Sequence, residues 1–152
     1  MSDSWRLTTT TNSGTDADVT SNWERVDETA YGSIGTGLTE SSGIFSFPQT
    51  GIYCITYHAL FSAAASDTTV ILQLKATTDN ATYDTFSRAF GGNPASGTSV
   101  STSGSQTVMI DVTDISNVKF KFTTSSFASG SSLLGSTTVS RTGFTVIRIG
   151  DT

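Results

Sequence analysis

The chain has one cysteine, one histidine and two prolines in 152 residues, and only 14% of it is charged. One cysteine cannot close an internal disulfide, so no disulfide scaffold is available. Cys54 lies inside an apolar run and reads as a small buried hydrophobe. With a single histidine and no Cys/His cluster, a structural zinc site is excluded. Basic residues are scarce too: 8 Lys and Arg against 13 Asp and Glu give a formal net charge of −5. That balance lacks the electrostatic footprint expected for nucleic acid or an anionic membrane. No run approaches the roughly 18 apolar residues that span a bilayer. Met1-Ser2-Asp3-Ser4-Trp5 has neither the basic region nor the apolar stretch of a signal peptide, so the expectation is a soluble chain that nothing exports.

Helical amphipathic patterning of useful length is also missing. Period-2 alternation stands in its place, in short runs between Gly, Ser, Asn and Asp clusters. About a third of the residues are Ser or Thr, and 14 are Gly. Threonine suits a pleated, half-exposed strand. Candidate strands are 5–8, 23–26, 44–47, 52–61, 68–76, 83–90, 106–112, 117–123 and 142–149, with loops at 9–22, 91–104 and 125–135 and a glycine-rich meander at 32–43. Eight to ten short strands without a second domain predict one all-β domain over 1–152, a two-sheet sandwich or jelly roll, with 1–30 as a less regular N-terminal segment.

The faces of these strands carry the functional information. In 68–76, Val70, Leu72 and Leu74 share one side. In 117–123, Val118, Phe120 and Phe122 alternate with Lys119, Lys121 and Thr123. Both read as one core face and one wet face. The runs 52–61 and 142–149 differ. Tyr53, Ile55, Tyr57, Ala59 and Phe61 back onto Ile52, Cys54, Thr56, His58 and Leu60; Phe144 and Val146 back onto Thr145, Ile147 and Ile149. A two-layer sandwich buries only one side of each sheet. The second apolar side needs cover, either from another copy of the chain or from a long loop of its own.

Gly43-Ile44-Phe45-Ser46-Phe47-Pro48-Gln49-Thr50-Gly51-Ile52-Tyr53, continuing to Tyr57-His58, resembles the F-x-x-P-x-x-G-x-Y core segment of the C1q/tumour-necrosis-factor-like domains. Ser140-Arg141-Thr142-Gly143-Phe144 is similar to their final strand, with Thr142 where an aromatic is usual. Trp5-Arg6-Leu7-Thr8, Trp23-Glu24-Arg25-Val26-Asp27, Ile34-Gly35-Thr36-Gly37 and Ile147-Arg148-Ile149-Gly150-Asp151-Thr152 resemble small C1q-like virion proteins of bacteriophages, marine ones in particular, over nearly the whole chain. The resemblance implies a ten-stranded jelly roll forming a homotrimer around an inner sheet. Carried over residue by residue, it puts Cys54, Thr56, His58, Leu60, Met109, Thr145, Ile147 and Ile149 at the trimer interface.

Chemistry beyond assembly finds little support in the residues. His58 sits mid-strand in an apolar run and no G-x-S-x-G elbow is present, so it reads as a satisfied or interface-lining histidine, not a catalytic one. Three protonated copies near one axis would repel, which predicts a trimer that weakens at mildly acid pH. Asp16-Ala17-Asp18, Asp79-Asn80 and Asp111 with Asp114 are carboxylate-rich turns. Calcium wants about 6–8 oxygens, and Asp and Asn favour turns in any case. Gly35-Thr36-Gly37 lacks the third glycine and helix of a nucleotide fingerprint. Asn80-Ala81-Thr82 fits a glycosylation acceptor only in an exported chain. No carboxyl pair can be assigned to glycoside hydrolysis.

The expectation is therefore a non-enzymatic phage virion protein without metal or cofactor, assembled in the host cytoplasm. It would be a trimeric decoration or knob on the major capsid protein, with Trp5 and Trp23 as docking anchors or else as ordinary core residues. The alternative is the receptor-binding tip of a fibre that recognises a host surface glycan or protein.

Overall fold

In the computed structural model, residues 1–94 and 97–152 are described, and the alternation becomes eleven strands. They are β1 (Ser2–Leu7), β2 (Trp23–Arg25), β3 (Thr39–Ser41), β4 (Ile44–Ser46), β5 (Gly51–Ala63), β6 (Val70–Thr77), β7 (Asp84–Gly91), β8 (Val100–Val112), β9 (Lys119–Ser125), β10 (Ser132–Leu133) and β11 (Gly143–Gly150). The described residues hold no helix. All strand pairs are antiparallel. One sheet runs β8-β5-β11-β1-β2, with β10 continuing the β11 edge of β5. The other runs β3-β4-β9-β6-β7. The two pack face to face as a jelly roll.

Period-2 burial along β5 sets the spine: Tyr53, Ile55, Tyr57, Ala59, Phe61 and Ala63 are buried, and the residues between them are not. Phe45 on β4 sits at the centre of an aromatic core. Its ring lies 4.8 Å from Phe144, 5.1 Å from Phe120, 5.4 Å from Trp5 and 5.5 Å from Trp23. Such pairs contribute about 0.5–1.5 kcal/mol each beyond the area they bury. The β3–β4 hairpin turns at Ser42-Gly43, both with positive φ (53° and 78°). A side chain at Gly43 would also meet the Val19 carbonyl at 2.2 Å, so turn geometry and packing both demand glycine there.

Several sequence expectations change. The strand count exceeds eight to ten because β3 and β10 are too short to show as runs. The loop expected at 91–104 is strand from Val100 onward, where β8 pairs with β5 along its whole length; residues 95 and 96 of that loop lie outside the described residues. The segment 1–30 is less irregular than its pattern, since β1 lies inside the first sheet between β11 and β2. The second face of β6 is not wet. Ile71 and Gln73 are buried because β6 is central and its neighbours supply Phe90, Arg88 and Thr123 around them.

Candidate self-association face

The side of the first sheet turned away from the core is organised in cross-strand rows. Register places Met109, Cys54, Ile147 and Ser2 side by side on β8, β5, β11 and β1, and Ser2 bridges on to Ile34. The next row is all hydroxyl: Thr107, Thr56, Thr145 and Ser4. Thr56 Oγ1 and Thr107 Oγ1 are 2.9 Å apart, and Ser4 Oγ and Thr145 Oγ1 are 3.0 Å apart. The third row is Ser105, His58, Gly143 and Arg6. Gly143 is there because any β-carbon would meet the Trp5 carbonyl at 2.4 Å. Leu60 and Ser103 form the fourth row.

Cover on this face is uneven. At the β1–β2 end the chain covers itself. Arg6 is only 2% exposed, held by Glu24 (3.4 Å), Asp27 (2.8 Å) and Glu28, and the segment 26–34 returns to pair Ile34 with Ser2 through two backbone hydrogen bonds. At the β5–β8–β11 end no described residue covers the face. Met109, Ile147 and Ile149 are 54%, 45% and 56% exposed, Thr56 is exposed, and Cys54, His58, Leu60 and Thr145 are half-buried. Register thus puts seven of the eight residues expected at an interface on one face, with Ile149 following at the β11 bulge; Met109, Ile147 and Ile149 are left in water. The loop alternative holds at β1 and β2 only.

His58 is half-buried. Its Nε2 lies 3.2 Å from Ser140 Oγ and 3.3 Å from the Ser140 carbonyl. Burial pushes its pKa below the ordinary value, partly opposed by the Ser140 carbonyl. No carboxylate bonds the ring among the described residues, so the orienting third group of a catalytic triad is not in place. Ser140 beside His58 was not readable from sequence, since 82 residues separate them.

The carboxylate-rich turns spend their oxygens locally. Asp18 pairs with Lys121 (2.6 Å) and Thr123 (2.7 Å), Asp16 accepts the Phe127 amide, and Asp114 caps Ser116 and Asn117. Asp79 accepts the amides of Ala81 and Thr82 and the Thr77 hydroxyl, which holds its carboxyl down at about 2. Among the described residues no group of three or more His, Cys, Asp and Glu gathers to hold a metal ion.

Trp5 and Trp23 are core residues and do not serve as exposed anchors. Their rings pack on Phe45, and their indole N–H groups donate to Asp3 Oδ2 and to the Val19 carbonyl, both at 3.0 Å. Sequence reading missed a second exposed apolar cluster. Phe86 and Phe90 are each about half exposed on the edge strand β7, with Arg88 between them and Phe86 at a bulge. Their four-residue spacing on one strand was the available signal.

No family model matches the chain, and no curated protein matches it. Solved structures do. The crystal structure of murine APRIL at pH 8.0 is 15% identical, with a TM-score of 0.67 over 97% of this chain and 98% of that one. The Eiger TNF structure from S. frugiperda is 14% identical, with a TM-score of 0.71 over 100% of this chain and 94% of that one. At this identity the likeness is one of fold. The chain has a tumour-necrosis-factor-like jelly-roll fold.

Proposed function

We propose that this chain is a non-enzymatic structural protein that acts as a homotrimer on a phage virion, as a decoration or knob docked on the major capsid protein. The observation that carries self-association is the row Met109–Cys54–Ile147. It is apolar, central and uncovered, on a sheet whose other side is already the core. The molecule also offers a second, dissimilar apolar cluster at Phe86 and Phe90 on the sandwich edge. Two different patches favour a head-to-tail contact that closes into a ring over a two-fold contact of one patch with itself. The resemblance to C1q and tumour-necrosis-factor-like domains supports a ring of three.

The virion role rests on the resemblance of the Trp5–Thr8, Trp23–Asp27, Ile34–Gly37 and Ile147–Thr152 segments to phage proteins. With both tryptophans in the core, docking falls to other surfaces. A preassembled trimer bound across neighbouring shell subunits would stabilise the shell by mass action.

Sedimentation velocity of the purified protein tests the first part. A species of three times the 15.9 kDa chain is expected, and a well-folded lone subunit overturns it. Labelling the protein on intact particles tests the second part. Label over the shell lattice supports decoration, whereas label at a tail or fibre end gives the role to receptor binding.

A further inference from the structure

A groove of about 510 Å³ opens where the turn before β11 stands beside β5 and β8, beyond the hydroxyl row from the apolar one. Its side chains are His58, Leu60, Ser103, Ser105, Ser140 and Arg141. The polar ones are three hydroxyls, an imidazole and a guanidinium, and no carboxylate lines it, in a chain with 13 acidic residues against 8 basic ones. Arg6, Arg25 and Arg148 are all engaged by carboxylates. The Arg141 guanidinium has no ion pair or hydrogen bond among the described residues.

The site is also held in place before any ligand arrives. Thr142, next to Arg141, is fully buried; its Oγ1 accepts the Leu60 amide at 3.1 Å and its carbonyl accepts the Leu7 amide at 2.8 Å. Arg141 N–H donates to the Val139 carbonyl at 2.9 Å. The backbone that carries Arg141 is therefore pinned, and the ordering cost of binding falls on the exposed Arg141 side chain.

We propose that this groove binds a tetrahedral oxyanion, sulfate or phosphate, free or as an ester on a larger molecule. Arg141 supplies a charge-assisted, bidentate contact, and Ser103, Ser105 and Ser140 supply hydroxyl donors. His58 joins them when protonated. The charges that face it are Arg141 from the turn and Arg6 from β1, across the empty place at Gly143, and Arg6 is already matched by Glu24, Asp27 and Glu28. β8 and β11 face it with Ser105 and Gly143, which carry no charge. All the lining belongs to one copy, and two of its members, His58 and Leu60, also stand on the face proposed for self-association.

Isothermal titration of the whole protein near pH 6, at constant ionic strength, tests it with three probes: sodium sulfate, sodium phosphate and a sulfated oligosaccharide against its unsulfated parent. Saturable binding of at least one anion is expected. Arg141→Gln is expected to weaken it about ten- to a hundredfold, with the melting temperature without anion staying that of the parent, and Ser140→Ala, which also gives up the contact with His58, about two- to tenfold. The His58 ring pKa, read by NMR, is expected to rise on saturation. Tighter binding of the sulfated oligosaccharide than of free sulfate makes an ester the ligand, and equal binding makes it the free ion; both support the site. Absence of saturable binding by every probe, or an affinity unchanged in Arg141→Gln, overturns it.

Discussion

Replacing Ile147 with aspartate separates assembly from folding, because the pleat puts neighbouring residues into opposite surroundings. Val146 is fully buried, whereas Ile147 is nearly half exposed between Cys54 and Ser2. Fully burying an Ile or Met side chain stabilises by about 1.5–3 kcal/mol. The exposures of Met109, Ile147 and Ile149 leave about half of that unrealised at each, so docking a partner on this patch gains about 2–5 kcal/mol per copy. Ile147→Asp removes roughly a third of that gain. It also places an unpaired carboxylate in the contact at a cost of several kcal/mol per copy. In a lone subunit the same carboxylate faces water, and the cost to the strand is at most about 1 kcal/mol. The variant should therefore sediment as a monomer while keeping native near-ultraviolet circular dichroism and a cooperative melt. Val146→Asp, one residue away, should not fold. If Ile147→Asp sediments with the parent's mass at equal concentration, the face is not the contact and the reasoning is refuted.

Three further outcomes follow from the same structure. Phe45→Ala empties the place shared by Trp5, Trp23, Phe120 and Phe144 and should cost about 3–5 kcal/mol in denaturant unfolding; a loss below about 1 kcal/mol would mean the aromatic core collapses to fill it. Asp3→Ala strands the Leu38 amide (2.9 Å), the Trp5 indole N–H (3.0 Å) and Arg25 (2.8 Å). The expected cost is about 3–5 kcal/mol, and a melting temperature within error of the parent would contradict it. His58 has its pKa depressed by burial, so the folded state takes up its proton less readily than the unfolded chain. Its contribution is complete above the unfolded value of about 6.5 and declines as pH falls through that value to the depressed one. Stability and self-association should be lower near pH 5 than at neutrality, and His58→Gln should flatten the difference. Asp18 and Asp79 are held below the usual carboxylate range and change only at lower pH. An unflattened profile in His58→Gln would move the effect to another group.

What the sequence shows and hides follows from where the physics is local. β5, β6, β9 and β11 are legible because apolar side chains recur at every second position, and those residues stand in the core, although the second faces of β5, β6 and β11 are not uniformly polar. The half of β8 from Val100 to Ser105 is invisible as a strand. Small polar residues carry no period there, and the segment is extended because β5 provides thirteen residues of pairing edge. Trp5 and Trp23 looked like anchors for want of neighbouring periodicity, yet two tryptophans in a small domain find their apolar contacts inside. Arg6 alternates with Trp5 as a wet face would, and Asp3 is a carboxylate on the Trp5 side; both are buried by ion pairs with residues more than a dozen positions away. The face rows follow from register, which the sequence constrains only through parity. The Ser140–His58 contact depends on how a turn folds back, for which no periodic signal exists.

The pairing of β1 with β11 also governs when this fold can form. The strand made first has as its neighbour the strand made last of the eleven, with Ser2 opposite Ile147. During synthesis β1 waits without one of its two edges, and β5 has only β8 and β10 beside it until Gly143–Gly150 emerges. Closure is then a long-range event that joins β1 to β11, the kind of step that slows β-rich topologies. Until then the nascent chain presents open strand edges and an unsealed aromatic interior.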